Sequence, residues 1–132
     1  MSATVFDHRM PIRWGDMDTM GHVNNTLYFR YFEQARIAWF ESLGFMARPD
    51  GEGCILARIT CDFVRPLTYP GDVVVRHRLI KLGRTSVTHE LEIRRVDEDA
   101  LYAKGDSVLV WMDFRANQSK PWPQHLRDIL DV

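Results

Sequence analysis

Cysteine is scarce in this chain, with Cys54 and Cys61 the only two among 132 residues. They lie seven positions apart, without the short paired spacings of a zinc site, so neither a zinc centre nor a disulfide framework is expected. The histidines form no ligand pattern either, and we expect no metal. The sequence also lacks a Walker loop, a dinucleotide-binding glycine fingerprint and a G-x-S-x-G nucleophile turn, and we expect no cofactor.

Excess charge of one sign is lacking as well, because the formal net charge is −1 at pH 7. A nucleic-acid-binding domain usually presents a basic face, so no nucleic acid is expected as a partner. No run of 18 apolar residues occurs, and we expect no membrane span. The N-terminus carries charges where a signal peptide needs an apolar core. A chain of this length has room for one domain, residues 1–132, which we expect to be cytoplasmic.

One stretch, residues 12–44, combines a polar loop with an apolar helix. The loop covers residues 15–24 and the predicted helix residues 25–43, of which 11 of 19 are apolar. Such a helix rises about 28 Å. Its apolar residues cover more of the helix surface than the single apolar stripe of a surface helix. We therefore predict that a sheet wraps around it.

Strand patterns and turn signals fill the rest of the chain. A first strand is predicted at residues 4–14, where Pro11 favours the edge of a sheet. Alternation of apolar and polar residues predicts four more strands, at residues 55–64, 73–79, 87–93 and 101–114. In the last of them, Ala103 and Gly105 would let a bulky helix approach the sheet closely. A short C-terminal helix should end near Leu130. This order predicts an α+β fold with a five-stranded antiparallel sheet.

The loop and the helix also carry a family resemblance. Residues 16–25 read DMDTMGHVNN, and Tyr28 and the run FEQAR at residues 32–36 follow on the helix. This pattern resembles the acyl-CoA thioesterases of the hotdog fold, in the 4-hydroxybenzoyl-CoA thioesterase-like family. The resemblance covers nearly the whole chain. It implies a hotdog fold with the sheet around a long central helix, and hydrolysis of an acyl-CoA thioester to free acid and CoA.

Asp18 is the residue that the resemblance makes catalytic, as a nucleophile or a general base. A thiolate leaves readily, so one carboxylate and a donor to the carbonyl oxygen are a sufficient set of groups. The backbone amide of Asn25, at the predicted helix start, is the candidate oxyanion donor. The family often has Tyr or His at this position, so no catalytic role is implied for the Asn25 side chain. Asp16 is expected to be structural.

Position in the motif suggests the residues that bind the substrate. His22 is expected to orient the substrate or Asp18, and Asn24 to cap the helix or brace the loop. The turn at residues 83–86 lies where the resembled enzymes contact the nucleotide part of CoA, so Arg84 is a candidate phosphate partner. Glu33 is expected to pair with Arg36 or to contact another subunit. The full set of substrate-binding candidates is His22, Asn24, Tyr28, Arg65, Arg84, Thr85 and Ser86.

Assembly follows from the resemblance and from the strand at residues 55–64. The resembled enzymes bind substrate in a groove between two subunits, and this strand has no proline to prevent pairing with a copy of itself. We therefore predict a two-fold homodimer formed by antiparallel pairing of this strand, with Asp18 facing the shared groove. Two such dimers could also pack into a tetramer, which the sequence does not decide.

Three other functions stay open. Acyl carrier protein could replace CoA, since plant acyl-carrier thioesterases share the H-V-N-N element. A hotdog hydratase or dehydratase would carry D-x-N-P-x-H, whereas here Met20 replaces the asparagine and no proline follows. A non-catalytic acyl-binding module is the third alternative, and an intact Asp18 speaks against it. The sequence does not specify the acyl chain, because the candidate pocket residues suit aliphatic and aromatic groups alike. They are Met17, Met20, Tyr28, Phe32 and Met46.

Overall fold

The computed structural model of the protein describes residues 4–45, 48 and 50–130, and the candidate pocket residue Met46 lies outside them. The helices are α1 (Asn25–Ser42) and α2 (Gln124–Leu130). The strands are β1 (Val5–Pro11), β2 (Glu52–Phe63), β3 (Asp72–Leu82), β4 (Ser86–Arg95), β5 (Ala100–Asp113) and β6 (Gln118–Ser119). Every pairing of these strands is antiparallel, which confirms the α+β class with an antiparallel sheet. In the described ranges, no helix is long and apolar enough to cross a membrane.

The sheet has six strands within the described residues, not the five predicted. Five of them follow the order β1-β3-β4-β5-β2, and the two-residue β6 pairs with Met112 and Asp113 at the end of β5. A strand of two residues is too short to show an alternation in sequence, which is why it was missed. The strands β1 and β2 form the two edges of the path, and Pro11 lies on an edge strand as expected.

The first strand is shorter than predicted, because it ends at Pro11 rather than at residue 14. The Ile12 N–H leaves the strand pairing and donates to the Gly71 carbonyl at 2.8 Å. A 3-10 helical turn follows at Trp14–Asp16. Trp14, the last apolar residue of the predicted strand, is 72% exposed. The alternation of apolar residues therefore runs past the end of the hydrogen-bonded strand.

The edge strand β2 also departs from its predicted pattern. A bulge lies between Leu56 and Arg58, where the register of pairing with β5 shifts. An extra residue in one strand disrupts the alternation of faces. Ile55 and Phe63, two of the apolar residues whose alternation predicted this strand, are both 42% exposed. In a single chain this strand therefore presents apolar side chains to solvent.

Helix α1 begins and ends close to the predicted residues. The Asn24 side chain caps its start by accepting from the Thr26 N–H at 2.9 Å, which confirms the helix-cap expectation. Gly44 follows its end with φ +71, a conformation that glycine adopts without strain. Six side chains of the helix are buried, whereas Phe29 and Ile37 remain partly exposed. The buried ones are Tyr28, Tyr31, Phe32, Ala35, Trp39 and Phe40.

The buried side chains of α1 pack against one face of the sheet in two apolar clusters. Ala103 lies in the first cluster with Tyr28 and Phe32. Gly105 has a different role from the one expected. A Cβ atom there would overlap the carbonyl oxygen of Thr60 on β2, so the close approach is between neighbouring strands, not between helix and sheet.

The same face of the sheet buries polar groups that the sequence analysis did not single out. His77 on β3, His89 on β4 and Ser107 on β5 are each 1% exposed. Their side chains include atoms without a hydrogen-bond partner among the described residues, as does the guanidinium of Arg36. Burial, the neighbouring imidazole and Arg36 lower the pKa of His77 to about 3. Burial and Arg36 lower the pKa of His89 to about 4. Both imidazoles are therefore neutral at pH 7.

Candidate active site at the start of helix α1

The loop between β1 and α1 is held by backbone hydrogen bonds. The Asp18 N–H donates to the His22 carbonyl at 2.9 Å, and Met17 and Val23 form a β-bridge, so the loop closes on itself. The Val23 N–H then donates to the Leu67 carbonyl at 2.9 Å, on the segment that follows β2. These contacts fix the backbone on either side of Asp18.

The Asp18 carboxylate is exposed and has two hydrogen-bond donors. The Met20 N–H donates to its Oδ1 atom at 2.9 Å, and the Asn24 side-chain amide donates to its Oδ2 atom at 3.4 Å. Asn24 also accepts from the N–H and the hydroxyl of Thr26, at 2.9 and 2.6 Å. One side chain therefore caps the helix and contacts the candidate catalytic carboxylate, which places that carboxylate beside the helix start.

The Asn25 N–H is the first amide of the helix. It has no hydrogen-bond partner among the residues that the structure describes. The first amides of a helix lack intrahelical acceptors and carry the positive end of the helix dipole. The Asn25 N–H is therefore free to donate a hydrogen bond, and its role as an oxyanion donor stays a prediction.

Asp16 has a buried carboxylate, 7% exposed, whose Oδ2 atom receives two hydrogen bonds. It accepts from the Tyr31 hydroxyl at 2.8 Å and from the Arg13 guanidinium at 3.2 Å. Burial, with the Asp16 carboxylate as the second cause, raises the pKa of Tyr31. The Asp16 carbonyl also accepts from the Asn24 N–H at 3.0 Å. Asp16 thus fastens the loop to α1, in agreement with the structural role expected for it.

Two hollows flank the helix start. One, of about 500 Å³, is lined by Trp14, Gly15, Met17, Asp18 and Thr19. The other, of about 220 Å³, is lined by His22, Val23, Asn25, Tyr28, Phe63, Val64, Arg65 and Pro66. The carboxylate and the free amide therefore border neighbouring hollows rather than a single enclosed pocket.

Three substrate-binding candidates from the sequence line the smaller hollow. The exposed imidazole of His22 has no hydrogen-bond partner among the described residues. The Tyr28 hydroxyl accepts from the Leu67 N–H at 3.2 Å and donates to the Arg65 carbonyl at 3.4 Å, so it holds the wall of the hollow. Burial raises the pKa of Tyr28. The Arg65 guanidinium lies 6.0 Å from the centre of the Tyr102 ring and is otherwise exposed.

The remaining candidates, Arg84, Thr85 and Ser86, lie far from this loop within one chain. The loop is fastened beside the start of β3, whereas these residues follow its end at Leu82. Eleven residues of strand separate the two ends by roughly 33 Å. The turn is anchored to the C-terminal part of the chain, since the Trp122 N–H donates to the Arg84 carbonyl at 3.2 Å. The exposed guanidinium of Arg84 has no partner in the described part of the chain.

Three further points concern Glu33, the cysteines and metal binding. Glu33 forms an ion pair with Arg30 at 2.9 Å, so the expected ion pair with Arg36 is wrong. Arg30 and Arg36 each lie three residues from Glu33 on the helix, so the spacing allows either pair. Cys54 and Cys61 are free, and burial raises their thiol pKa values to about 12 and about 11. Among the described residues, no three His, Cys, Asp or Glu side chains form a group that could hold a metal ion.

Sequence reasoning missed two contributors to the region. Trp14 was placed in a strand, although it lines the hollow beside Asp18. The segment at residues 67–71 supports the loop through backbone hydrogen bonds, and no side-chain motif marks such contacts in a sequence.

Known proteins resemble this one in sequence and in structure. A model of the thioesterase-like superfamily matches residues 12–130. A Pseudomonas aeruginosa protein assigned as a thioesterase is 38% identical with a TM-score of 0.88, over 93% of this chain and 95% of that one. A Xanthomonas campestris protein assigned as an acyl-CoA thioesterase is 36% identical with a TM-score of 0.76, over 87% and 98%. A chloroplast acyl-acyl carrier protein thioesterase of Arabidopsis thaliana, ATL3, is 29% identical over 79% of this chain and 56% of its own.

The fold and these similarities define the class of protein as a thioester-hydrolysing enzyme. The match to the family model extends over nearly all of the described residues. The chain belongs to the thioesterase-like superfamily.

Proposed function

We propose that this enzyme hydrolyses an acyl-CoA thioester to the free acid and CoA, on a hotdog fold, with Asp18 as its catalytic carboxylate. One observation carries the proposal. Asn24 contacts the exposed Asp18 carboxylate at 3.4 Å and caps helix α1 at the same time, and the unpaired N–H belongs to the next residue, Asn25. A nucleophile or base beside an oxyanion donor is the arrangement that acyl transfer needs.

The thioester carbonyl lies between Asp18 and Asn25 in this proposal. The carbonyl oxygen accepts from the Asn25 N–H, and the two hollows beside the helix start take the acyl group and the pantetheine arm. In the nucleophilic route, an Asp18 oxygen bonds to the carbonyl carbon, the C–S bond breaks, and water cleaves the resulting anhydride. In the general-base route, Asp18 takes a proton from the water whose oxygen attacks that carbon, and the C–S bond then breaks to release the free acid and the CoA thiolate. An acyl adduct on Asp18 after a rapid acid quench would identify the first route.

A dimer reconciles the distance between the loop and the phosphate-binding candidates. Strand β2 is an edge of the sheet, and its exposed residues include Ile55, Leu56 and Phe63. Antiparallel pairing of two β2 strands about a two-fold axis inverts the second subunit. The far end of its β3 then lies level with the loop of the first. Arg84 of one subunit can therefore bind a phosphate of CoA whose thioester lies beside Asp18 of the other.

Acyl carrier protein is a second candidate donor, and the similarity to the Arabidopsis acyl carrier protein thioesterase favours it. CoA and acyl carrier protein both present the acyl group on a pantetheine arm, so the chemistry at Asp18 would be the same. Assays with one acyl group on both carriers decide between them through the ratio of their kcat/KM values. A cytoplasmic location and a tetramer remain predictions.

The activity is tested with a panel of short, long, branched and aromatic acyl-CoA thioesters. The Asp18→Asn variant should retain the fold and lose at least about 10²-fold in kcat on the best substrate, the usual scale for a positioned acid or base. Asp128→Asn, on the exposed face of α2, is the matched control and should keep full activity. Full turnover in a folded Asp18→Asn protein would exclude the proposed role.

The shared site is tested by the size of the protein in dilute buffer. We expect a dimer or a larger assembly wherever thioesterase activity is present, because the groove needs two subunits. A charged residue at Leu56, introduced as Leu56→Arg, should oppose the pairing of the β2 strands and reduce activity as monomers accumulate. A fully active monomer would refute the two-subunit arrangement.

A further inference from the structure

Both ends of the loop that carries Asp18 are fastened to one short segment. The Ile12 N–H donates to the Gly71 carbonyl at 2.8 Å, and the Val23 N–H donates to the Leu67 carbonyl at 2.9 Å. The segment at residues 67–71 is therefore a common support for the loop. A displacement of this segment would move both ends of the loop, and the carboxylate between them, relative to the helix start.

The segment is itself held by one largely buried arginine, Arg95, at the end of β4. The Nη1 atom of Arg95 donates to the Thr68 carbonyl at 2.8 Å, and its Nη2 atom donates to the Pro70 carbonyl. A guanidinium offers several N–H groups in one plane, so it can bind two backbone carbonyls at once, as an ammonium group cannot with fixed geometry. The Arg95 side chain is only 11% exposed, which limits its alternative positions.

Two neighbouring carboxylates and a glycine complete this arrangement. Asp97 lies 3.0 Å and Glu98 3.5 Å from the Arg95 Nε atom, and they fix the other side of the guanidinium. Gly71 has φ +147, and a Cβ atom there would overlap the Arg95 guanidinium. The close contact between arginine and segment therefore needs glycine at this position.

We propose that Arg95 is a positioning residue for the active site, acting through the segment at residues 67–71 on the loop that holds Asp18. This inference rests on the proposed role of Asp18. Arg95 lies outside the two hollows and contacts no candidate catalytic atom. Arg95 contributes by placing the carboxylate relative to the Asn25 amide. A shift of about 1 Å in such a placement can lower the reaction rate by about 10²-fold.

The kinetic test compares Arg95→Ala and Arg95→Lys with a neighbouring control. Arg94→Ala is matched to them because Arg94 contacts Glu92 and the Asp99 carbonyl, but not the segment. We expect Arg95→Ala to lose about 10- to 100-fold in kcat with a much smaller change in KM, as for other losses of alignment. The kcat of Arg95→Lys should lie between those of Arg95→Ala and the native protein, and the kcat of Arg94→Ala should equal the native value. Added guanidinium ion should partly restore Arg95→Ala and have no such effect on Asp18→Asn.

Hydrogen exchange provides a readout that does not depend on activity. The amides of Asp18 and Val23, hydrogen-bonded in the native loop, should exchange faster in both Arg95 variants and at the native rate in Arg94→Ala. Native kcat and native exchange in a folded Arg95→Lys or Arg95→Ala protein would overturn the inference. If Asp18→Asn is fully active while exchange accelerates as expected, the catalytic proposal fails and the positioning of the loop by Arg95 stands.

Discussion

Acid should destabilise this protein well above the pH at which carboxylates titrate, because two histidines are buried without charge. His77 and His89 have pKa values of about 3 and about 4 in the folded chain, against about 6.5 in an unfolded one. The groups facing them are the positively charged Arg36 on α1, the apolar rings of Phe32 and Trp39, and Ser107 on β5. None of these is an anion that could stabilise an imidazolium.

The sign and size follow from proton linkage. Below pH 6.5 the unfolded chain binds two protons that the folded chain excludes, so stability falls as pH falls, until the folded pKa values are reached. Each group contributes about 1.4 kcal/mol per pH unit in this window. The two together should remove about 4 kcal/mol between pH 7.5 and pH 5, a large part of a typical stability of 5–15 kcal/mol.

Urea unfolding at fixed protein concentration measures this dependence at half-unit steps from pH 7.5 to 5. Unperturbed carboxylates titrate mostly below this range, so the slope reports chiefly on histidine. His77→Gln and His89→Gln should each halve the loss, and the double variant should abolish most of it, whatever its stability at pH 7.5. His125→Gln, at an exposed position on α2, is the control and should leave the slope unchanged. A double variant with the native slope would refute the reasoning.

Two further predictions concern the phosphate candidate and the sheet. Arg84→Ala should raise KM for CoA thioesters far more than it lowers kcat, because a remote phosphate contact binds ground and transition states alike. Steady-state kinetics of this variant beside the control variant Lys81→Ala tests the prediction. An unchanged KM would show that the nucleotide part of CoA binds elsewhere. Gly105→Ala should lower the free energy of unfolding by about 1–3 kcal/mol, the usual cost of overpacking, whereas Gly15→Ala, which meets open space, should not. Equal thermal stability of the two alanine variants would show that β2 and β5 can separate to admit a Cβ atom.

The helix and its caps could be predicted because their signals are local. Asn24 before the apolar run and Gly44 after it determine the ends of α1 within one residue. The proximity of Asp18, Asn24 and Asn25 also follows from local sequence, because they lie within eight consecutive residues at the end of the loop and the start of the helix. Their catalytic roles came from the family resemblance and stay predictions. Short-range spacing therefore carries over directly into the geometry of the helix start.

Buried polar groups and supporting contacts could not be predicted in the same way. His77 and His89 lie at two-residue spacing from valine and leucine on the buried face of their strands, so the period of the strand gives their burial but not their lack of hydrogen-bond partners. The support of the Asp18 loop by Arg95 joins residues more than 70 positions apart through backbone carbonyls. Such contacts depend on the register of β3 and β4, which no local pattern specifies.

The largest disagreement between sequence and structure lies at β2, and it bears on assembly. Its alternation is typical of a half-buried strand, yet Ile55 and Phe63 are each 42% exposed and Leu56 is 38% exposed. An apolar edge strand is a liability in an isolated chain, because its unpaired backbone groups pair readily with other strands. Pairing with a second β2 would bury these side chains and satisfy that edge. The exposed apolar residues of β2 therefore fit the proposed dimer interface, and the same pairing would bring the distant Arg84 turn level with the loop that holds Asp18.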